Sequence, residues 1–136
     1  MATLQLEIVT PEGRTFNDAV ESVVLPGSEG EMGILPQHAA LLTQLKPGEL
    51  RITQNGKVTE LAVGEGFAEV TGEKVSVLTD MAVQESEIDE QKVQEAITRA
   101  ETALKDKELG SEEIAAAEAS IARSVAALNL KRKRRV

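Results

Sequence analysis

The sequence predicts an α+β protein: a small antiparallel β-sandwich over residues 1–84, followed by an antiparallel two-helix hairpin over residues 85–136. Three observations carry this. Short runs of alternating polar and apolar residues, separated by glycine- and proline-containing turns, continue up to Gln84, and many short strands at such spacing make a sandwich or flattened barrel rather than a parallel sheet. After Gln84 the apolar residues Val93, Ala96, Ile97, Ala100 and Leu104 recur at three and four, which lines one side of a helix. Leu109-Gly110-Ser111 then interrupts the pattern, and a second alanine-rich run repeats it.

Taken in order, Thr3–Val9 places Leu4, Leu6 and Ile8 on one face of a half-buried strand, and Pro11-Glu12-Gly13 turns it. Short strands follow around Arg14–Phe16 and over Glu21–Leu25, with Val23 and Leu25 inward. Between Leu25 and Leu50 the chain is punctuated by Gly27, Gly30, Gly33, Pro36 and Pro47-Gly48. Glycine frees the backbone to turn and each proline removes a donor, so this stretch reads as a surface-facing turn-and-bulge region rather than core strand. Loops of that kind on a rigid scaffold carry binding function. Leu50–Thr53 and Val58–Val63 flank Asn55-Gly56, a two-residue hairpin signal that sets Leu50 opposite Leu61 and Arg51 opposite Glu60 as an ion pair. Phe67–Thr71 and Lys74–Thr79 form the last strand pair across Gly72-Glu73.

In the helical part, Ser86 reads as an N-cap with Asp89 three residues on, and Glu95–Arg99 and Glu101–Lys105 sit at the spacing of intrahelical ion pairs. Gly110 suits a left-handed helix end and Ser111 the next cap, with Glu112-Glu113 complementing the new helix start. Ile114, Ala117, Ile121, Val125 and Leu128 form the expected stripe of the second helix. Stripes made mostly of alanine bury little area per turn, so the hairpin is expected to detach at small cost.

The composition removes several function classes. Aromatics are 1% of the chain, Phe16 and Phe67 alone, so the core must be aliphatic. Without cysteine there are no disulfides or thiolate metal sites. The net charge of −8 argues against a nucleic-acid partner, which needs a basic face. Residues 1–13 lack the basic-then-apolar pattern of a secretory leader, and no run approaches the roughly 18 apolar residues of a membrane span, so a soluble chain without direct membrane insertion is expected. His38 is the only histidine, Gly64-x-Gly66 lacks the third glycine and helix of a dinucleotide fingerprint, no P-loop is present, and the carboxylates are scattered singly. No catalytic set assembles, and no cofactor is required.

The string G-E-M-G-I-L-P-x-H-A-x-L-L-T-x-L-K-P-G, from Gly30 to Gly48, resembles the signature of the epsilon subunit of F-type ATP synthases, and the two-part layout extends the resemblance over the whole chain. Ala40 stands where that family more often has proline. The resemblance implies a non-catalytic rotor subunit that couples proton flow through the c-ring to ATP synthesis via gamma, and that inhibits ATP hydrolysis through its C-terminal helices. It implies contact with the c-ring at Glu29, Gly30, Glu31 and Met32, and with the gamma subunit at His38, Ala39, Leu41 and Leu42. It further implies that the helices move between folded-down and extended, inhibitory arrangements. In the extended one Arg123 and the tail Lys131, Arg132, Lys133, Arg134 and Arg135 meet the catalytic beta subunit, and alpha, transiently.

Ile88-Asp89-x-x-Lys92, with Arg99 further on, is similar to the ATP-binding motif of some bacterial members, with Lys92 and Val93 replacing its arginine and alanine. ATP would then be a weak regulatory ligand, since lysine keeps the charge but loses the planar fork. The location implied is peripheral, on the cytoplasmic face of a bacterial plasma membrane or a thylakoid.

Read without the resemblance, Glu29–Met32 is equally a solvated turn, His38 a packed histidine, and Asp89 a helix cap. The basic terminus equally suits a nucleic-acid or localisation patch or a tether to anionic lipid. The alternative reading of the whole is a free-standing nucleotide-sensing or ligand-binding β-sandwich with a helical tail.

Overall fold

The computed structural model of the chain describes residues 2–106 and 108–133. Strands β1 (Leu4–Thr10), β2 (Gly13–Val20), β3 (Ser22–Gly27), β4 (Gly30–Ile34), β5 (Leu41–Leu45), β6 (Gly48–Gln54), β7 (Lys57–Val63), β8 (Gly66–Thr71), β9 (Lys74–Thr79) and β10 (Ala82–Gln84) precede helices α1 (Glu90–Ala103) and α2 (Ser111–Lys133). The strands form one wrapped sheet in the order β10-β7-β6-β3-β5-β8-β9-β1-β2, with β4 paired to β3. Gln54 Nε2 donates to Asp18 Oδ2 (2.8 Å) and to the Ala19 carbonyl (2.9 Å), tying β6 to the terminal strand β2. Alternate inward residues such as Leu6, Ile8, Leu25, Leu50 and Val77 fill the interior. Phe67 stays outside and Phe16 packs against the core only partly buried, so the fully buried residues are aliphatic.

Several local expectations change. β1 pairs with β9 in parallel, Leu6 beside Val75 and Ile8 beside Val77, where an all-antiparallel sandwich was expected. The stretch after Leu25 is strand rather than loop over Gly30–Ile34 and Leu41–Leu45, and β3 runs through Pro26. Pro26 is tolerated because its carbonyl still accepts from Lys46 N (3.0 Å). Gly27 is needed for space, since a Cβ there would lie 2.7 Å from the Gly30 carbonyl oxygen. β2 is longer than the short strand expected around Arg14–Phe16.

The β6–β7 hairpin has the expected register, Leu50 opposite Leu61 and Arg51 opposite Glu60, and both Asn55 (φ 53°) and Gly56 (φ 75°) have the positive φ of its turn. The Arg51–Glu60 ion pair does not form. Arg51 bonds Glu31 on β4 (3.0 Å) instead, and Glu60 accepts from Lys133 of α2 (3.1 Å).

Before α1, a 3-10 turn at Glu85–Glu87 is closed by Gln84 N donating to Glu87 Oε1 (3.0 Å). This turn takes up Ser86, so Asp89 is the cap of α1, its Oδ1 accepting from Lys92 N (3.2 Å). Gly110 does not adopt a positive φ. Helix α1 ends instead by tightening, with Lys105 N donating to the Thr102 carbonyl (3.1 Å), and the Gly110 carbonyl accepts from Ile114 N (3.0 Å) to open α2, ahead of the expected Ser111. The Glu95–Arg99 and Glu101–Lys105 pairs do not close.

Arg132 near the end of α2 meets Glu90 at the start of α1 (3.1 Å), so the helices are antiparallel, as expected. The stripe of α2 holds in part: Leu128 is buried and Ala117 and Ile121 are half-buried, but Ile114 and Val125 are exposed and Ala126, Ala127 and Leu130 are buried instead. The C-terminal half of α2 lies on the sandwich, where Ala127 and Leu130 join Ala62 of β7 and Ile88 in a second, small core. No helix among the described residues is long and apolar enough to cross a membrane.

Candidate functional site

The strand pairing makes the β3–β4 hairpin a stiff finger. Gly27 pairs with Gly30 across a turn at Ser28 and Glu29, with Gly30 at a φ of 136° that a larger residue adopts only under strain. Glu29 and Glu31 are exposed, and Met32 is half-buried against the core. Arg51 holds the Glu31 carboxylate at 3.0 Å, which fixes its direction without covering it.

A second surface lies on the outer face of β5, β8 and β9. The register sets Gln44 beside Phe67 and Phe67 beside Leu78, with Leu42 one diagonal step from Phe67. Leu42 is 69% exposed, Phe67 56% and Leu78 56%. Of the residues expected here, His38 and Leu41 are half-buried, Leu41 packing on the core, and Ala39 is exposed. His38 Nδ1 lies 2.7 Å from the Ala39 carbonyl and donates to it, fixing the ring. Pro36 and Gln37 form the preceding turn, closed by His38 N donating to the Leu35 carbonyl (3.2 Å). Gln37 takes a φ of 69° there. Phe67 and Leu78 were missed in the sequence, although both fall on the outward parity of strands whose inward positions, Ala68, Val70, Val75 and Val77, are plain.

The residues expected to bind ATP are not gathered round one cavity. Ile88 is buried in the second core and Asp89 caps α1. Lys92 and Arg99 are exposed on α1, and the shallow depression at Arg99 is otherwise lined by Gln91, Gln94, Glu95 and Thr98. Among the described residues no group of three acidic or histidine side chains could hold a metal.

The basic residues of α2 all have acidic partners. Arg123 bonds Asp80 (2.9 Å), Lys131 bonds Glu85 (3.2 Å), Arg132 bonds Glu90 (3.1 Å), and Lys133 bonds both Glu49 (3.0 Å) and Glu60 (3.1 Å). Hydrogen bonds that its ammonium donates to the two carboxylates raise the pKa of Lys133 above its ordinary 10.5. Arg134 and Arg135, also expected to be inhibitory, lie outside the described residues. The acidic partners Glu49, Glu60, Asp80 and Glu85 had no signal in the sequence, since they come together only through strand register and helix docking.

Residues 3–85 match the model of the family described as ATP synthase, Delta/Epsilon chain, beta-sandwich domain. The chain is 46% identical over 110 residues to an ATP synthase epsilon chain of Desulforamulus reducens, covering 81% of this chain and 82% of that one. It is 44% identical over 135 residues to that of Dehalococcoides mccartyi, covering 99% and 96%. Among solved structures it resembles a chain of the Euglena gracilis mitochondrial ATP synthase, OSCP/F1/c-ring in rotational state 1, with a TM-score of 0.74 at 26% identity, over 93% of this chain and 79% of that one.

Proposed function

We propose, from the premise that this chain belongs to the ATP synthase epsilon chain family, that it works as a non-catalytic subunit of the central stalk, joining gamma to the c-ring and restraining ATP hydrolysis with its helices. The gamma subunit covers the Leu42–Phe67–Leu78 face, the β3–β4 finger meets the polar loops of the c-ring, and the basic residues of α2 reach the beta and alpha subunits when the hairpin extends. The chain is peripheral to the membrane sector, on the cytoplasmic face, and ATP is a weak regulatory ligand near Lys92 and Arg99.

The observation that carries this reading is the outer face of β5, β8 and β9. Three large apolar side chains more than half exposed on adjacent strands are a concentration that marks an interface. A sandwich is a suitable element for transmitting torque, because its strands are cross-linked on both sides and deform little.

The test uses the assembled enzyme. Since the chain has no cysteine, Glu31→Cys can be crosslinked selectively to cysteines placed in the c-subunit loops. Efficient crosslinking is expected, and its absence removes the c-ring placement. Deleting residues after Asn129 is expected to raise ATP hydrolysis, and an unchanged rate overturns the inhibitory role.

A further inference from the structure

We propose that the hairpin is held on the sandwich by an ionic latch, in which Arg123, Lys131 and Lys133 engage Asp80, Glu85 and the Glu49–Glu60 pair, and that Gly64 is the residue that seats it. The proposal deepens the regulatory reading above and rests on it only for the consequence in the enzyme.

The apolar contact under α2 is confined to one small cluster beneath its C-terminal half, centred on Leu130. That core is built from Ala62, Ala127, Leu130 and Ile88, with Met81, Val83 and Val93 packed against it, and beside it a groove of about 560 Å³ separates α2 from Pro26 and Pro47. The ion pairs are distributed differently: they reach from three points of α2 to the β9–β10 connection, the 3-10 turn, and strands β6 and β7. Lys133 is the common partner of two carboxylates whose side chains are only 20% and 11% exposed. Removing its ammonium takes the shared cation away from two mostly buried like charges on neighbouring strands, which opposes departure of the helix end.

Gly64 lies under the third anchor. A Cβ at this position would overlap Asp80 Oδ1 and come 3.1 Å from Arg123 Cγ, and Gly64 has no positive φ, so space and not backbone freedom requires glycine. These cations cannot serve an acidic partner while latched. Extension is therefore an exchange of counter-ions, which salt and an acidic surface both drive.

The experiment uses the full chain, with a donor–acceptor dye pair on cysteines introduced at the exposed positions Glu73 and Glu118. Raising NaCl from about 0.02 M to about 0.5 M shortens the screening length severalfold and is expected to lower the docking constant about tenfold. Gly64→Ala and Asp80→Asn should each lower it about threefold at low salt, with the amide shifts of β1 and β2 unchanged. Asp80→Arg combined with Arg123→Asp should restore docking, which loss of packing would not predict. Docking indifferent to salt, or Gly64→Ala docked as tightly as the parent, overturns the latch. If docking follows salt in the free chain while hydrolysis by the enzyme ignores the deletion after Asn129, the latch stands and the inhibitory role fails.

Discussion

Leu130→Ala separates docking of the helices from stability of the sandwich. Leu130 is fully buried on α2, among Ala62, Ala127 and Ile88. The substitution deletes three carbons, and at about 0.8 kcal/mol each the transfer loss is about 2.4 kcal/mol. The small neighbours can close the space only partly, which keeps the cost within the ~2–5 kcal/mol seen for buried leucines. A loss of about 2.5 kcal/mol lowers the docking constant roughly 70-fold. Native-state hydrogen exchange reads this directly: protection of α2 amides should fall by that amount, while Leu6 and Ile8 of β1 keep theirs. In the assembled enzyme the freed hairpin should lower ATP hydrolysis, the opposite of what deletion is expected to do. Equal loss of protection in β1 and α2 would refute the reasoning, because the two parts would then be one cooperative unit.

Leu42→Glu should weaken binding to gamma by about 10- to 150-fold, from the ~1.5–3 kcal/mol of a buried leucine, while the melting temperature of the free chain stays unchanged; titration calorimetry checks the first and a thermal melt the second. Gln37→Gly should stabilise the chain by about 0.5–1 kcal/mol in urea unfolding, since it relieves a left-handed residue at the cost of some unfolded-state freedom. Lys133 has a folded pKa raised above 10.5 by Glu49 and Glu60, so its contribution to docking is complete below pH 10.5 and fades as pH rises through the folded value. Dye-pair measurements should therefore show docking that Lys133→Gln weakens at pH 8 and no longer weakens well above that value.

The legible parts of the fold were those governed by local chemistry. Asn55-Gly56 sets the β6–β7 register because two consecutive positive φ values leave few other turns, and the change of period after Gln84 announces the helices. The stretch after Leu25 was misread because Pro26 and the glycines look like breakers, whereas β3 loses one donor at Pro26 and keeps its acceptor. In α2, alanine occurs on every side, so periodicity cannot choose the buried face; docking chooses it, and exposes Ile114 and Val125. Arg51 shows the same limit, since its cross-strand partner was correct in register and still lost to Glu31. Glu29–Met32 and Leu42 were singled out through the resemblance around the Gly30–Gly48 string, though not as parts of strands, whereas Phe67, Leu78 and the acids beneath α2 depend on pairings between distant strands.

The parallel joining of β1 to β9 dictates an order of assembly on the ribosome. The first strand emerges with one edge open and waits about 70 residues, roughly 4–14 s at ordinary translation rates, before its neighbour is made. During that interval Leu6 and Ile8 have only the β1–β2 ribbon to shelter them, and the other edge of β1 has no strand to pair with. By contrast, the platform of β6 and β7 exists long before Leu130 is translated, so the helices always arrive at a finished floor.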